Sequence, residues 1–345
     1  MSFHITIQPS GHEYDAEEGN SVLQAAIDAG IKLPYGCQNG ACGTCKGKIV
    51  EGRIDHAATP EGTLPAAERA DGMALFCCAK PLSDLVIEAR EVTSKTDIPV
   101  KTLPCRVQKL ERLAPDVIAL QLKLPTNERL QFLAGQYIEI LLKDGKRRAF
   151  SLANAPYDDE LLQLHVRLVP GGQFTEHVFG SMKEREMLRF EGPHGSFFLR
   201  EDAESAKKPI ILLAGGTGFA PIKSIVEYAI HSKIERSMHL YWGAKDRSGL
   251  YLPELPQQWA AEHANIKYVP VLSEPSAADA WQGRTGFVHQ AVLADHPDLS
   301  GFQVYACGAP AMIDAARRDF GAQGLPAEEF YADSFTFAND NGVKV

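Results

Sequence analysis

The sequence predicts a multidomain chain of three architectures: a small mixed-β unit over residues 1–92, an antiparallel β-barrel or sandwich over 103–204, and a doubly wound α/β domain over 205–345, with a linker at 93–102. Three observations carry this expectation. A loop dense in cysteine and glycine, Cys37–Cys45, interrupts strand-like alternation near the start. Short alternating apolar runs separated by turn residues follow it. Beyond the charged stretch Arg200–Lys208 the rhythm changes to strand, glycine loop and amphipathic helix.

The first unit opens with alternation from Phe3 to Ile7, a strand pattern rather than the apolar block of a signal peptide. A helix is expected over Val22–Ala29, capped by Asn20 or Ser21 and closed by Gly30. Further strands are expected at Lys48–Val50 and Asp84–Ile87. Between them Cys37, Cys42 and Cys45 stand in the C-x4-C-x2-C spacing of a plant-type [2Fe-2S] centre, with Cys77 and Cys78 farther on. A two-iron cluster needs four thiolates, and three of them can share one loop only where the backbone turns sharply. Gly36, Gly40 and Gly43 permit such turns. Zinc usually takes its cysteines as two separated C-x2-C units; here one such unit stands beside an offset Cys37. A disulfide framework does not suit a long chain without a secretion signal. Cys77 and Cys78 both stand at a suitable distance for the fourth ligand. Lone Cys105 reads as a small buried hydrophobe.

In the second domain, strands are expected at Val117–Leu124, Gln136–Leu142, Phe150–Leu152, Leu162–Leu168 and Met187–Phe190. Alternation puts Arg148 and Phe150 on one side of a strand, where Arg148 can clamp a phosphate and Phe150 can pack on an aromatic ring. In Pro170-Gly171-Gly172-Gln173-Phe174-Thr175, the glycines open backbone N–H groups to phosphates and Thr175 adds a hydroxyl.

The third domain begins with a strand at Ile210–Leu213, which runs into Ala214-Gly215-Gly216-Thr217-Gly218-Phe219-Ala220-Pro221. A helix follows, with Ile222, Ile225, Val226, Ala229 and Ile230 at helical spacing. A glycine loop between a strand and a helix N-terminus is the setting that cradles a pyrophosphate. Later strands are expected at His239–Trp242, Tyr268–Leu272 and Val304–Ala306. An acidic residue after the second strand favours a free ribose 2′-OH, and basic ones a 2′-phosphate. Asp246 lies between Lys245 and Arg247, which leaves NADH and NADPH both open, with a lean to NADH.

A net charge of −9 without a basic run speaks against nucleic acid as a partner. No apolar run approaches the ~20 residues of a membrane span, and a cytoplasmic monomer is expected. His4, His12, His56, His177, His231 and His263 show no metal-ligand spacing.

Taken in order, these motifs resemble the three-part reductases of the ferredoxin–NADP reductase superfamily. The first unit follows the β-grasp order of a plant-type ferredoxin. Arg148-Ala149-Phe150-Ser151 is similar to the Arg-x-Tyr-Ser flavin motif, with Phe150 in place of Tyr. Ala214–Pro221 resembles the Gly-Gly-Thr-Gly-x-Ala-Pro nicotinamide loop, and Cys307-Gly308-Ala309-Pro310-Ala311-Met312 resembles Cys-Gly-x-Pro-x-Met. The resemblance implies a [2Fe-2S] cluster on Cys37, Cys42, Cys45 and Cys77, the segment Leu75–Leu85 selecting Cys77 over Cys78. It implies an FAD held by Arg148, Phe150, Ser151, His165, Val166, Gly171, Gly172 and Thr175, with the Ser151 hydroxyl on flavin N5. It implies NAD(P)H on Gly215, Gly216, Thr217, Gly218, Pro221 and Gly308, with Cys307 flanking the nicotinamide C4 and Phe335 covering the flavin face.

The implied activity is an electron relay from NAD(P)H through FAD and the cluster, at roughly −400 mV for plant-type centres, to a protein acceptor. Leu33–Gly40 and Phe330–Phe335 point to the group of CDP-6-deoxy-Δ3,4-glucoseen reductases, whose acceptor is a pyridoxamine-phosphate-dependent dehydrase of CDP-3,6-dideoxyhexose synthesis. The alternative is the reductase component of an aromatic-ring or phenol-type oxygenase. A non-enzymatic iron–sulfur carrier or sensor is a third reading, opposed by the intact Ser151 and Gly215–Gly218.

Overall fold

The computed structural model describes residues 2–89, 91 and 98–335. They fall into two compact units, the first within residues 1–97 together with Ala332–Ser334, the second spanning Ile98–Tyr331 and resuming at Phe335.

In the first unit, β1 (Ser2–Gln8) and β2 (Glu13–Glu17) form an antiparallel hairpin that leads into α1 (Val22–Asp28). Ser21 caps α1, its hydroxyl accepting the Gln24 N–H at 3.1 Å; of the two cap candidates the structure uses this one. Then come β3 (Lys46–Glu51), β4 (Ile54–Asp55), α2 (Ala66–Ala70), β5 (Met73–Leu75), β6 (Lys80–Pro81) and β7 (Leu85–Glu88). The main sheet has the order β2-β1-β7-β3-β5, with β1 and β7 parallel and the other pairs antiparallel. Val22, Leu23, Ala25 and Ala26 of α1 are buried in one core with Ile5, Ile7, Leu85 and Ile87. This is the expected β-grasp. Each fully buried Val, Leu or Ile contributes about 1.5–3 kcal/mol before entropy is counted.

The second unit opens with β8 (Lys101–Ala114), β9 (Val117–Lys123), β10 (Tyr137–Leu141), β11 (Arg147–Ser151), β12 (Leu162–Arg167), α3 (Gln173–Gly180) and β13 (Met187–His194). The strands run in the order β11-β10-β13-β8-β9-β12, antiparallel throughout. An antiparallel bridge between Leu152 and Leu164 ties the first strand to the last and closes the barrel. Two elements differ from expectation. Lys101 and Thr102, read as linker, begin β8, while residues 93–97 of that linker lie outside the described residues. The segment after Pro170-Gly171-Gly172 becomes α3, which buries Phe174, Thr175 and Val178. Cys105 is a buried core residue of β8, and burial pushes its thiol up to about 12.

The remaining elements are β14 (Ile210–Gly215), α4 (Phe219–His231), β15 (Met238–Ala244), α5 (Glu254–Glu262), β16 (Ile266–Leu272), β17 (Arg284–Thr285), α6 (Val288–Asp295), β18 (Gln303–Gly308), α7 (Pro310–Ala322) and β19 (Phe330–Ser334). The sheet order is β17-β16-β15-β14-β18-β19, and β14 pairs in parallel with both β15 and β18. Strand order therefore reverses beside β14, and the carboxyl ends of β14 and β18 flank the crevice in which such sheets hold ligands. Barrel and parallel sheet share a core in which Ala114, Val117, Ala134 and Phe197 join Ile222, Ile225 and Val226 of α4. Ser224 Oγ donates to the Asn154 carbonyl at 2.8 Å and Lys223 Nζ to that of Ala153 at 3.0 Å. These bonds and that core hold the two halves together.

Candidate functional site

The cysteine loop brings its thiols into two pairs. The Cys42 N–H points to Cys37 Sγ at 3.2 Å, and the Cys37 and Thr44 N–H groups point to Cys42 Sγ at 3.5 Å each. The hydrogen bond from the Cys37 thiol pulls the Cys42 thiol down to about 5 against the opposing effect of burial. Cys45 Sγ lies 3.2 Å from Cys77 Sγ, although 32 residues separate them. Gly40 and Gly43 turn the loop at φ +85° and +70°. Gly36 serves differently: a Cβ there would stand 3.2 Å from Cys42 Sγ. Four sulfurs on one convergent loop and a neighbouring turn, several facing backbone N–H groups, are a donor set suited to a thiolate-bound cluster.

In the second unit, Ser151 ends β11 fully inside the protein, and its Oγ has no hydrogen-bond partner among the described residues. A buried hydroxyl left unpaired costs about 1–3 kcal/mol, so such an atom marks a place where a ligand supplies the partner. Phe150 packs on Phe174 at 5.3 Å, which sets β11 against the first turn of α3. Arg148 is half-buried on the same strand face as Phe150. The Gly171 N–H donates to the Glu176 carboxylate at 2.7 Å, and that of Gly172 to the Val169 carbonyl at 2.9 Å. The Glu176 carboxylate thus occupies the position an anion would take on Gly171. The Thr175 hydroxyl is engaged inside the same turn, with Val169 and Gly172. Val166 puts its side chain into the barrel core and leaves only its backbone for other use.

His165 connects barrel and sheet. Its Nδ1 is 2.9 Å from the Tyr251 hydroxyl, while Nε2 is buried without a hydrogen-bond partner among the described residues. Burial, helped by the charge of Lys223, lowers the imidazole to about 3 and keeps it neutral. Tyr251 feels both Arg167 and Cys307 electrostatically, so the barrel strand and the Cys307 segment meet here. The Arg167 guanidinium lies 3.0 Å from where a Cβ on Gly216 would stand; its Nε is 3.3 Å from the Asp116 carboxylate, and its Nε and Nη2 are buried without hydrogen bonds among the described residues.

The glycine loop follows β14 as a 3-10 turn over Gly216–Gly218 and runs straight into α4, with Thr217 buried. Gly216 has φ +53°, and Trp242 Nε1 fixes its carbonyl at 3.0 Å. A side chain on Gly218 would overlap the Cys307 carbonyl. Pro221 fits the first turn of α4, where no N–H is needed. Cys307 is fully buried at the end of β18, and the Gly308 carbonyl accepts the Phe335 N–H at 2.9 Å. Cys307, Gly308, Gly215 and Phe335 therefore gather at one end of the sheet. Arg167, Tyr251 and Trp242 are brought together around Gly216 only by the folded chain.

Residues 5–82 match the 2Fe-2S iron-sulfur cluster binding domain, residues 104–199 the oxidoreductase FAD-binding domain and residues 212–318 the oxidoreductase NAD-binding domain. The chain is 43% identical over 336 residues to the CDP-6-deoxy-L-threo-D-glycero-4-hexulose-3-dehydrase reductase of Yersinia pestis, covering 97% of this chain and 99% of that protein. The chain belongs to the ferredoxin reductase family. It is also 38% identical over 347 residues to the phenol 2-monooxygenase reductase component DmpP of Pseudomonas sp., covering 99% of this chain and 96% of that one. Among solved structures, the Amycolatopsis cytochrome P450 reductase GcoB superposes with TM-score 0.76 and 34% identity, over 96% of this chain and 98% of the other. As a member of this family the chain is an oxidoreductase with [2Fe-2S], FAD and NAD domains. No described helix is long and apolar enough to cross a membrane.

After β15, where the sequence leaves NADH and NADPH both open, the basic residues of this ferredoxin reductase are held by neighbouring groups. Lys245 Nζ pairs with Glu274 at 3.1 Å. The Arg247 backbone N–H donates to the Asp279 carboxylate at 3.0 Å, and its guanidinium donates to the Asp279 backbone carbonyl at 3.2 Å. Asp246 caps the turn by accepting from Ser248 and Gly249.

Proposed function

We propose that the chain is an NADH-dependent reductase that delivers electrons singly to a cytoplasmic partner enzyme. The partner in this reading is the pyridoxamine-phosphate-dependent dehydrase that acts on a CDP-4-keto-6-deoxyhexose. The observation that carries the partner assignment is the 43% identity to the dehydrase reductase over nearly the whole of both chains. The phenol monooxygenase reductase, at 38% over a similar length, supports the oxygenase reading less.

Bound FAD supplies the exchange between a two-electron nicotinamide donor and a one-electron iron–sulfur centre. The residues of this chain bind and orient. Ser151 Oγ, buried and unpaired, is free to donate to or accept from a ring held against β11. Arg148 offers charge to a phosphate, and Phe150 with Phe174 forms an apolar wall beside it. The Gly216–Gly218 turn at the head of α4 presents N–H groups to a pyrophosphate, with Arg167 above it. Cys307, Gly308 and Phe335 would hold the nicotinamide end. Cys37, Cys42, Cys45 and Cys77 would hold the cluster. Neutral His165 and its bond to Tyr251 keep the water-free junction between the halves without adding charge. No side-chain acid or base is needed, so the protein contributes position and exclusion of water.

Anaerobic titration with NADH and NADPH, followed by visible absorbance, tests the relay: bleaching of both flavin and iron–sulfur bands with three electrons taken up supports it. A colourless, carefully reconstituted protein overturns it. Mixing the loaded reductase with either a CDP-hexulose dehydrase or a phenol hydroxylase oxygenase component tests the partner. Sugar deoxygenation with the first and no hydroxylation with the second is expected.

A further inference from the structure

Cys78 follows the candidate ligand Cys77, and the two Sγ atoms are 3.7 Å apart. The turn that carries them is fixed from the backbone: the N–H groups of Cys78 and Ala79 both donate to the Leu75 carbonyl, at 2.9 and 2.8 Å. On its other side Cys78 Sγ faces Gly40 of the ligand loop, 2.9 Å from where a Cβ would stand. The thiol is thus wedged between the two segments that bring the ligand sulfurs together, and it is partly shielded from solvent.

Between two free thiols either sulfur can donate. A metal-bound Cys77 carries no proton, so Cys78 is then the donor. The nearby Thr59 hydroxyl gives its proton to the His56 carbonyl at 2.5 Å. As a neutral oxygen it competes weakly with a charged thiolate for the Cys78 proton. One-electron reduction adds negative charge that spreads onto the ligand sulfurs. A donor to one of them stabilises the reduced form more than the oxidised form.

We propose that Cys78 is an S–H donor to the Cys77 sulfur and raises the reduction potential of the cluster. The proposal rests on Cys77 as fourth ligand. Its test is an EPR-monitored anaerobic redox titration of full-length, cluster-loaded protein and its Cys78→Ala and Cys78→Ser variants. Both variants are expected to keep the visible bands and g-values of the parent, because four ligands remain. Cys78→Ala should reduce about tenfold less favourably, about 59 mV for one electron. Cys78→Ser, with a hydroxyl in place of the thiol, should lie between. An unchanged potential in Cys78→Ala overturns the proposal. Altered g-values or loss of the cluster in both variants also overturns it, by placing Cys78 among the ligands. If Cys78→Ala does not fold, Cys78→Val, which also removes the donor, decides: a potential equal to the parent's, without change in g-values, overturns the proposal. Failure of the reductase reading looks different, since the parent itself would then show no cluster signal.

Discussion

The Nδ1 of His165 lies 2.9 Å from the hydroxyl of Tyr251, and this bond joins barrel strand β12 to the loop after β15. Both groups are buried. The imidazole is held at about 3, first by burial and then by Lys223, against about 6.5 in the unfolded chain. Between those values the unfolded chain binds a proton that the folded one refuses. Stability is therefore fully present above pH 6.5 and lost as pH falls toward 3, by roughly 4–5 kcal/mol at most. Urea unfolding midpoints from pH 7 to pH 4 should fall, and His165→Asn should flatten that fall.

Ser151→Ala separates a ligand contact from a structural one. The hydroxyl has no partner to lose among the described residues, so the apoprotein should be as stable as the parent or gain about 1 kcal/mol. Reduction of bound flavin by NADH, followed by stopped flow, should slow at least tenfold.

Gly218→Ala should act oppositely. The added methyl meets the Cys307 carbonyl, a backbone atom that cannot swing away. Overpacking of this kind costs about 1–3 kcal/mol. Loss of NADH-driven flavin reduction with normal flavin content is expected, because the barrel residues are untouched.

Cys42→Ser should remove the iron–sulfur bands yet leave NADH reduction of the flavin intact, since the cysteine loop and the nucleotide domains lie in separate compact units. The measurement is ferricyanide reduction, which the flavin alone sustains, beside cytochrome c reduction, which should fall.

With Lys245 paired to Glu274 and the Arg247 guanidinium held on the Asp279 carbonyl, kcat/KM should favour NADH over NADPH. Glu274→Gln frees Lys245 and should lower the NADPH KM severalfold while leaving that for NADH unchanged.

Much of this was legible in the residues. The cysteine spacing, the Arg148–Ser151 strand and the Gly215–Gly218 loop carry their chemistry in local patterns of four to nine positions. β8 was not legible over its full length. Pro104 reads as a breaker, yet it sits opposite Arg189 in the ladder, and register shifts after Val107 and Arg112 break the alternation. α3 was hidden because Pro170-Gly171-Gly172 announces a turn, and its helix buries only Phe174, Thr175 and Val178 over its two turns. Arg167 over Gly216 and Tyr251 on His165 depend on residues 49 and 86 positions apart, contacts that local periodicity cannot encode.

The Cys45–Cys77 pairing has a mechanical side. A metal bridge between these sulfurs, 32 positions apart, would close a chain loop that holds α2 and β4. By the loop-entropy relation used for covalent cross-links, such a clasp disfavours the unfolded ensemble by roughly 3–4 kcal/mol. Cluster loading at these cysteines would then be read as a difference in protease resistance across residues 46–76 between iron-loaded and iron-free protein.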